Sequence, residues 1–511
     1  MSDAKKTCNF AGKYSFMKKL HPFMLAGTGS DVGKSVLAAG LCRILRQDGY
    51  HPAPFKAQNM SLNSYATPDG LEIGRAQAVQ AEAAGIPCHT DMNPVLLKPN
   101  SDHSSQLVLH GRPVGNREAY DYFHSVGRED LRREVCGAFD RLQARYNPVV
   151  MEGAGSVAEI NLGDMDIVNM PMARHAGADV FLVADIERGG VFASAYGSIM
   201  LQKPEDRARI KGIIVNKFRG DLRLFQPGIR MMEETCGVPV LGVVPYFHDI
   251  SIEEEDSVDL IGKSSSAQDG KVNVAVVRLR HLSNFTDFDS LERDARVHLY
   301  YADSAERLRG ADIIILPGSK NTVADLEDLE RNGMAEAVVQ ARRGGKTVVG
   351  ICGGYQMMGV EIADPEGVEG SPGRKAGLGL LPVCTVLGTE KVTRRVKFRG
   401  CGTNVHGEGY EIHMGRTFLV GDAPHAPLVR LEDGGEDGYL CGDKCMGTYL
   451  HGIFDNRSFV DFMLAPYLGN AAGGDTEDYV VFKERQYDLL ADYLRRYLDM
   501  AVIYRILSEE R

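Results

Sequence analysis

Several features that mark secreted, membrane-embedded or nucleic-acid-binding proteins are missing from this chain of 511 residues. Its ten cysteines form no CxxC pair and no zinc-like Cys/His cluster, which favours reduced thiols, one of them available for catalysis. The sequence contains no run of about 18 apolar residues, the length needed to span a membrane. Residues 1–20 lack the apolar core of a signal peptide. The net charge of −11 argues against a nucleic-acid-binding surface. We therefore expect a soluble, cytoplasmic protein without a nucleic-acid or membrane partner.

Short, uninterrupted apolar runs recur along the chain, each followed by a loop and a helical pattern. The first series is FMLAG (23–27), PVVMEGAG (148–155), ADVFLVAD (178–185), IKGIIVNK (210–217) and VPVLGVVP (238–245). The second is VNVAVVRL (272–279), ADIIILPG (311–318) and KTVVGICGG (346–354), with EGYEIHMG (408–415) and CMGTYLHGIF (445–454) later. This texture predicts an α/β fold with parallel strands covered by helices on both faces.

The stretch between the two series is acidic and then rich in serine and glycine, which is typical of a linker. We therefore predict a tail (1–19), a first domain (20–247), a linker (248–271) and a second domain (272–511). The apolar residues of segment 481–507 have helical spacing, so we expect the second domain to end in a long helix.

A glycine-rich loop between the first strand and its helix ends in Gly33-Lys34-Ser35. Backbone N–H groups and the helix N-terminus form an anion cradle there, with Lys34 reaching the terminal phosphates and Ser35 binding Mg²⁺. Five residues before Gly33, where the usual pattern has glycine, stands Thr28. This variant loop resembles that of dethiobiotin synthetase and related enzymes that activate carboxylates with ATP. The predicted ATP-binding residues are Thr28, Gly29, Asp31, Gly33, Lys34, Ser35, Lys56 and Asn216.

Carboxylates at the strand ends of this domain are candidates for a second Mg²⁺ ligand. Glu152 ends one strand, at the edge where ligands bind in such sheets. Asp164 and Asp166 follow it closely enough to approach the metal or the substrate, although surface carboxylates are an equal alternative. Lys56 and Arg188 would make the pocket locally positive inside an acidic protein.

The stretch GICGGYQMMG (350–359) places Cys352 in a tight, glycine-flanked turn between a strand and a helix. This arrangement is typical of a nucleophile elbow, and the helix N-terminus favours the thiolate. A catalytic cysteine needs a base, and His451 at the end of a later strand is our prediction. His413 is the alternative, and either imidazole could be purely structural.

The G-x-C-x-G-x-Q pattern with a later strand-end histidine resembles the class I glutamine amidotransferases, in which cysteine releases ammonia from glutamine. That resemblance implies oxyanion and glutamine contacts from Gly318, Ser319, Gly353 and Gln356. Most members carry glutamate two residues after the histidine, but Ile453 stands there. We therefore expect a Cys352–His451 dyad, with another acceptor such as backbone holding the imidazole.

With isoleucine in place of this glutamate and with five further stretches, the sequence resembles the cobyric acid synthase family over residues 20–505. The stretches are FKAQNMSLNS (55–64), DIERGGVFAS (185–194), SNFTDFDSL (283–291), ILPGSKNT (315–322) and EGYEIHMG (408–415).

The resemblance implies an amidoligase that uses ATP, Mg²⁺ and glutamine, without a tightly bound organic cofactor. It would amidate the b, d, e and g carboxylates of the corrinoid adenosylcobyrinic acid a,c-diamide through phosphorylated intermediates. Cobyrinic acid a,c-diamide synthase is the main alternative; an ATP-switched partitioning protein and an inactive amidotransferase scaffold are the others. The sequence leaves the oligomeric state and the corrin-binding residues open.

Overall fold

The computed structural model describes residues 18–99, 104–118, 128–163, 165–247, 249–253, 266–370, 372–468 and 477–509. The predicted α/β class is confirmed, because two separate six-stranded, mainly parallel sheets each carry their own apolar core. Within the described ranges, no helix is long and apolar enough to cross a membrane, and every cysteine is a free thiol.

The first half of the chain contributes twelve strands and seven helices within the described residues. The strands are β1 (Phe23–Gly27), β2 (Ala53–Phe55), β3 (Gln58–Met60), β4 (Ser64–Ala66), β5 (Glu72–Gly74), β6 (Val95–Pro99), β7 (Ser104–Leu109), β8 (Arg112–Glu118), β9 (Val149–Glu152), β10 (Asp179–Asp185), β11 (Ile210–Phe218) and β12 (Val240–Pro245). The helices are α1 (Lys34–Gln47), α2 (Arg75–Ala84), α3 (Arg128–Gln143), α4 (Met170–Ala176), α5 (Val191–Met200), α6 (Pro204–Arg207) and α7 (Leu222–Cys236).

The main sheet of this half has the order β12-β11-β10-β1-β9-β2, and all its pairs are parallel. Residues of β1, β9 and β10 are buried without alternation, as expected for strands covered on both faces. Parallel strands bring their carboxyl ends to one edge. The loops that follow β1, β9 and β11 therefore meet there, and a smaller sheet, β3-β6-β7-β8, and the β4-β5 hairpin complete this half.

The second half contributes the remaining strands and helices of the described chain. The strands are β13 (Val272–Val277), β14 (Val297–Ala302), β15 (Ile313–Leu316), β16 (Thr347–Ile351), β17 (Glu361–Asp364), β18 (Gly373–Ala376), β19 (Val383–Gly400), β20 (His406–Leu419), β21 (Val429–Leu431), β22 (Glu436–Asp437), β23 (Tyr439–Leu440) and β24 (Cys445–Thr448). The helices are α8 (Asp289–Arg293), α9 (Thr322–Arg331), α10 (Met334–Arg343), α11 (Gly353–Met358), α12 (Arg457–Leu468), α13 (Tyr479–Tyr497) and α14 (Met500–Leu507).

The second main sheet has the order β14-β13-β15-β16-β24-β23, with only β23 antiparallel to its neighbour. The predicted strand EGYEIHMG lies outside it, in a further sheet built around the long antiparallel hairpin β19-β20. This hairpin carries residues of the second half across to the first half, where Tyr410 contacts Ala66.

The chain's final helices pack on the first half, which corrects their assignment to the second domain. The predicted single helix over 481–507 is two helices, α13 and α14, separated at Leu498. Their apolar face joins the core of the first sheet through Tyr487, Leu490, Ala491, Leu494, Leu498, Ile503 and Leu507. Helices α1 and α13 approach so closely that a Cβ on Gly40 would lie 2.3 Å from Leu494 Cδ1. Helical spacing predicts an apolar face but does not say which core will cover it.

Candidate active site

The loop after β1 wraps around the ammonium group of Lys34, the first residue of α1. Lys34 Nζ donates to the carbonyls of Gly29, at 3.0 Å, and Gly155, at 3.1 Å. Gly27 must be glycine, because its Cβ would lie 2.7 Å from both that nitrogen and the Gly29 oxygen. Gly33 has φ +91°, which a residue with a side chain rarely adopts. The loop therefore presents the lysine and the start of α1 together, as an anion cradle requires.

Glu152 at the end of β9 is the centre of a buried hydrogen-bond network beside this loop. Its carboxylate accepts from Ser35 Oγ at 2.7 Å, Lys56 Nζ at 2.9 Å and Gln80 Nε2 at 2.7 Å. Burial alone would raise the pKa of Glu152, but Lys56 and the hydrogen bonds from Gln80 and Ser35 outweigh it and lower the pKa. The side chain is therefore a charged carboxylate facing the hydroxyl of the phosphate loop.

This pair of oxygen groups fits Mg²⁺. No cluster of three or more His, Cys, Asp or Glu that could hold a metal occurs within the residues the structure describes. Magnesium at nucleotide sites commonly uses only one or two protein oxygens, with phosphates and water completing its shell. Ser35 and Glu152 offer a hydroxyl and a carboxylate 2.7 Å apart.

Asn216 and Arg188 both contact the phosphate loop. Asn216 Nδ2 donates to the Val32 carbonyl at 2.8 Å. A Cβ on Gly33 would lie only 2.2 Å from this nitrogen, so Asn216 requires glycine there. Arg188 is exposed and pairs with Asp31 at 3.4 Å. The predicted cluster of cations is therefore divided, because Lys34 and Lys56 are buried whereas Arg188 is exposed to solvent.

A cavity of about 250 Å³ lies next to the phosphate loop, and Gly155 and Asp166 line it. Asp166 accepts from the backbone of Val168 at 2.6 Å and of Asn169 at 3.1 Å, so it caps the turn that leads into α4. Asp164, the other predicted carboxylate, lies outside the described residues. The cavity wall also carries two cationic residues, Arg174 and Lys203, and two further carboxylates, Glu159 and Asp206. Arg174 pairs with Asp206 at 2.6 Å, so its charge is already balanced within the wall.

Cys352 forms a strained elbow between β16 and α11. Its backbone has φ +51° and ψ −108°, and its N–H donates to the Thr448 carbonyl at 2.8 Å. Gly354 allows the turn to close, because a Cβ there would lie 1.9 Å from the Leu316 carbonyl oxygen. The Sγ atom lies 3.6 Å from the carbonyl of Ile412 on β20. Strain of this kind holds a nucleophile in place where helix and strand meet.

The predicted oxyanion residues cluster around this elbow. A Cβ on Gly318 would lie 3.3 Å from His451 Cε1, and a Cβ on Gly353 would lie 2.9 Å from the backbone nitrogen of Ser319. The Gln356 side chain is held within the protein. Thr322 Oγ1 donates to its oxygen at 3.1 Å, and its nitrogen donates to the Tyr449 hydroxyl at 3.2 Å.

His451 is held by a carboxylate that the sequence analysis did not identify. Its Nδ1 lies 2.7 Å from Asp287 Oδ2, and the other carboxylate oxygen accepts from the Gly452 backbone at 3.0 Å. After Asp287, the Cys352 side chain is the group that most raises the pKa of this imidazole. The other acceptor that we expected to hold the imidazole is therefore the Asp287 side chain and not backbone. Cys352, His451 and Asp287 are arranged as nucleophile, base and orienting acid are in a triad.

Burial of the His451 ring opposes its positive charge, but Asp287 and the Cys352 sulfur outweigh burial and raise the pKa of His451 to about 10. His413, the alternative base, has a different environment. Its ring stacks on Tyr449 with centroids 3.8 Å apart, and its Nδ1 contacts the Gly415 carbonyl at 2.8 Å. Burial lowers the pKa of His413 to about 4, so this ring is neutral and structural.

Two residues of this site were not assigned a role from the sequence. Asp287 lies in SNFTDFDSL, one of the stretches that carry the family resemblance. That resemblance places the orienting acid two residues after His451, whereas Asp287 is 164 positions away. Gln80 lies inside the helical stretch of α2, where nothing distinguishes a buried glutamine from a surface one.

Comparison with known proteins agrees with this two-centre arrangement. Residues 23–260 match the CobQ/CobB/MinD/ParA nucleotide binding domain, and residues 273–459 match the CobB/CobQ-like glutamine amidotransferase domain. A cobyric acid synthase of Phocaeicola vulgatus is 65% identical over 96% of this chain and 99% of its own length. One from Bacteroides fragilis is also 65% identical over 96% and 99%. A third, from Parabacteroides distasonis, is 56% identical over 95% and 98%.

Proposed function

Because this chain belongs to the cobyric acid synthase family, we propose that its two centres carry out the two halves of a single amidation. The protein is a glutamine-dependent, ATP-dependent amidoligase. Its second half releases ammonia from glutamine, and its first half activates a carboxylate of a corrinoid that receives the ammonia. The observation that carries this proposal is the joint presence, in one chain, of the Cys352–His451–Asp287 constellation and the Lys34–Ser35–Glu152 cradle.

In the second half, the Cys352 sulfur attacks the side-chain carboxamide of glutamine and forms a tetrahedral oxyanion. The backbone N–H groups of Gly353 and Ser319 lie close enough to the elbow to hold it, and one such donor is typically worth about 3 kcal/mol. His451 gives its proton to the departing ammonia, which leaves a glutamyl thioester. The imidazole then takes a proton from water, whose oxygen attacks the thioester and releases glutamate.

In the first half, a carboxylate oxygen of the corrinoid attacks the terminal phosphate of ATP and releases ADP. Lys34 and Lys56 offset the charge that develops during transfer. Ser35 and Glu152 would hold Mg²⁺, which supplies further charge neutralisation when bound. Ammonia then attacks the acyl phosphate, phosphate leaves, and the carboxylate has become an amide.

The cavity beside Gly155 is a candidate for the reacting arm of the corrinoid. Its volume of about 250 Å³ suits one carboxylate side chain rather than a whole macrocycle. Lys203 in its wall would attract the carboxylate. Arg174 contributes less, because it already pairs with Asp206 of the same wall. We propose that the b, d, e and g carboxylates of adenosylcobyrinic acid a,c-diamide take this position in turn.

The proposal is tested by following the corrinoid product over time by mass spectrometry, with ATP and glutamine labelled with ¹⁵N at the side-chain amide. We expect up to four mass increments on the a,c-diamide, each carrying label. In the matched control, cobyrinic acid replaces the a,c-diamide as the corrinoid substrate. If labelled amides form only at its a and c positions, the protein is the diamide synthase instead. If ATP is hydrolysed without any labelled corrinoid, both synthase assignments fail.

A further inference from the structure

One short segment of the nucleotide-binding half connects the two centres physically. It comprises residues 56–65, and it begins at Lys56, whose ammonium group lies 2.9 Å from Glu152 Oε1. Its last three residues, Asn63, Ser64 and Tyr65, contact the second half beside His451. The first half therefore touches the surroundings of the base directly, at consecutive positions of one segment.

The first contact caps the short helical turn that carries Asp287. This 3-10 turn spans Phe285–Phe288, and the N–H of Phe285 donates to Asn63 Oδ1 at 3.0 Å. Asn284 precedes the turn with φ +52°, and its side chain makes no capping bond to its own turn. Instead Asn284 Oδ1 accepts from the backbone N–H of Ser64 at 3.1 Å. Each of these two buried asparagines thus accepts a hydrogen bond from a backbone N–H of the other half.

The second contact supports the imidazole through an aromatic ring. Tyr65 packs against Tyr410 edge to face, with centroids 4.7 Å apart. Tyr410 stacks on the His451 ring at 5.3 Å, with planes inclined by 22°. Tyr410 and His451 also exchange backbone hydrogen bonds of 3.1 and 2.8 Å. Tyr65 therefore limits how far the ring that supports His451 can move.

The segment that provides these contacts is itself firmly held. The Asn63 backbone N–H donates to Ser61 Oγ at 3.0 Å, and its carbonyl accepts from the Arg75 N–H at 3.1 Å. The Arg75 guanidinium lies over the Tyr65 ring, 4.5 Å from its centroid. A side chain on such a rigid base can orient its partner at low entropic cost.

We propose that Asn63 and Tyr65 are positioning residues for the His451–Asp287 pair. Asn63 fixes the turn that aims the Asp287 carboxylate, and Tyr65 fixes the ring stacked on the imidazole. The glutaminase centre therefore takes part of its working geometry from the half that binds the nucleotide. This inference rests on the proposed roles of Cys352 and His451 in glutamine hydrolysis.

The test compares Asn63→Ala with Asn59→Ala in the full-length protein. Asn59 is also a buried asparagine of the segment, but its amide donates to Gln77 in the first half, at 3.1 Å. We expect Asn63→Ala to lower kcat for glutamine hydrolysis about tenfold. KM for glutamine and ammonia-dependent amidation should stay within about twofold of wild type, because neither depends on Asp287. Asn59→Ala should leave glutamine hydrolysis unchanged.

The pH profile gives a readout that a general packing defect would not move. Asp287 raises the pKa of His451, so a misplaced Asp287 should shift the alkaline limb of the glutaminase profile to lower pH in Asn63→Ala. The inference is wrong if Asn63→Ala keeps the wild-type kcat and profile. It is also wrong if ammonia-dependent amidation falls to the same degree, because docking of the halves would then be the whole effect.

A second pair of variants carries the test even if Asn63→Ala does not fold. Tyr65→Phe keeps the ring edge against Tyr410 and should retain wild-type glutamine hydrolysis. Tyr65→Leu removes the aromatic ring that packs against Tyr410. It should lower kcat for glutamine hydrolysis about threefold, without a matching rise in KM for glutamine. Equal activity of the two variants would contradict the ring contact. A wild-type protein that hydrolyses no glutamine would instead reject the proposed function, which separates the two failures.

Discussion

The two centres differ in how far apart in the chain their working residues lie. The phosphate cradle is largely local, since Gly29, Gly33, Lys34 and Ser35 belong to one strand-loop-helix unit. The sulfur centre joins three distant segments, because Asp287, Cys352 and His451 come from a 3-10 turn, an elbow and a strand end. The cradle therefore has its main residues in one segment, which Glu152 and Gly155 complete from the end of β9 and the loop after it, whereas every member of the triad comes from a different segment around the second sheet.

This difference predicts that damage to one centre should leave the other working. The cradle supports carboxylate activation, for which free ammonia can replace glutamine. The triad supports glutamine hydrolysis, which does not require the nucleotide chemistry. Each centre can accordingly be removed alone and its loss measured against the activity that remains.

The largest effect is expected when the sulfur centre loses its nucleophile. Cys352→Ser should lower glutamine-dependent amidation by at least about a thousandfold, because the serine hydroxyl is a far weaker nucleophile than the thiolate. Ammonia-dependent amidation should remain within a few-fold of wild type. Parallel assays with glutamine and with ammonium chloride check this, and an equal loss in both would contradict the division of labour between the halves.

The reciprocal change removes the cation of the cradle. Lys34→Ala should lower both glutamine- and ammonia-dependent amidation by about a hundredfold or more, since charge on the transferring phosphate would go unbalanced. Glutamine hydrolysis should persist within a few-fold. Measuring glutamate release and corrinoid amidation in the same reaction tests this, with circular dichroism as the control for folding. A matching loss of glutamate release would show that the two centres are not separable.

A smaller effect, with a pH signature, is expected from the orienting acid. Asp287→Asn removes the charge that raises the pKa of His451 to about 10, while the burial that lowers it remains. The imidazole must be protonated to give its proton to ammonia, so activity that wild type keeps up to about pH 10 should decline from near neutral pH in the variant. At pH 7 we expect kcat for glutamine hydrolysis to fall about thirtyfold. His413→Gln serves as control, and a similar profile shift there would contradict the assignment of His451.

The smallest effect concerns stability of the first half. Alanine normally suits a helix better than glycine, but Gly40→Ala would place a Cβ 2.3 Å from Leu494 Cδ1 and 3.0 Å from Leu490 Cγ. Overpacking should prevail, and we expect the free energy of unfolding to fall by about 1 kcal/mol. Urea denaturation of the single variant Gly40→Ala and of the double variant Gly40→Ala/Leu494→Val measures this loss of stability. A stabilised single variant would contradict the tight contact between α1 and α13.

Local features were predictable from the sequence to the extent that neighbouring residues create them. The strand at Phe23–Gly27, the Lys34 loop and the Cys352 elbow were all predicted, because each is encoded within about ten residues. Asp287 was missed because its contact with His451 depends on tertiary structure alone. The placement of α13 failed for the same reason, since an apolar helix face fits either core. The roles proposed for the site residues stay predictions until the variants are measured.

The return of the final helices to the first sheet has a consequence for synthesis on the ribosome. Leu490, Leu494 and Leu507 complete a core whose other members are translated hundreds of residues earlier. The nucleotide-binding half must therefore emerge with one apolar face uncovered until residues 487–507 have been made. Splitting the gene between the two sheets would leave that face bare, so the halves cannot be exchanged as independent modules unless the terminal helices travel with the first.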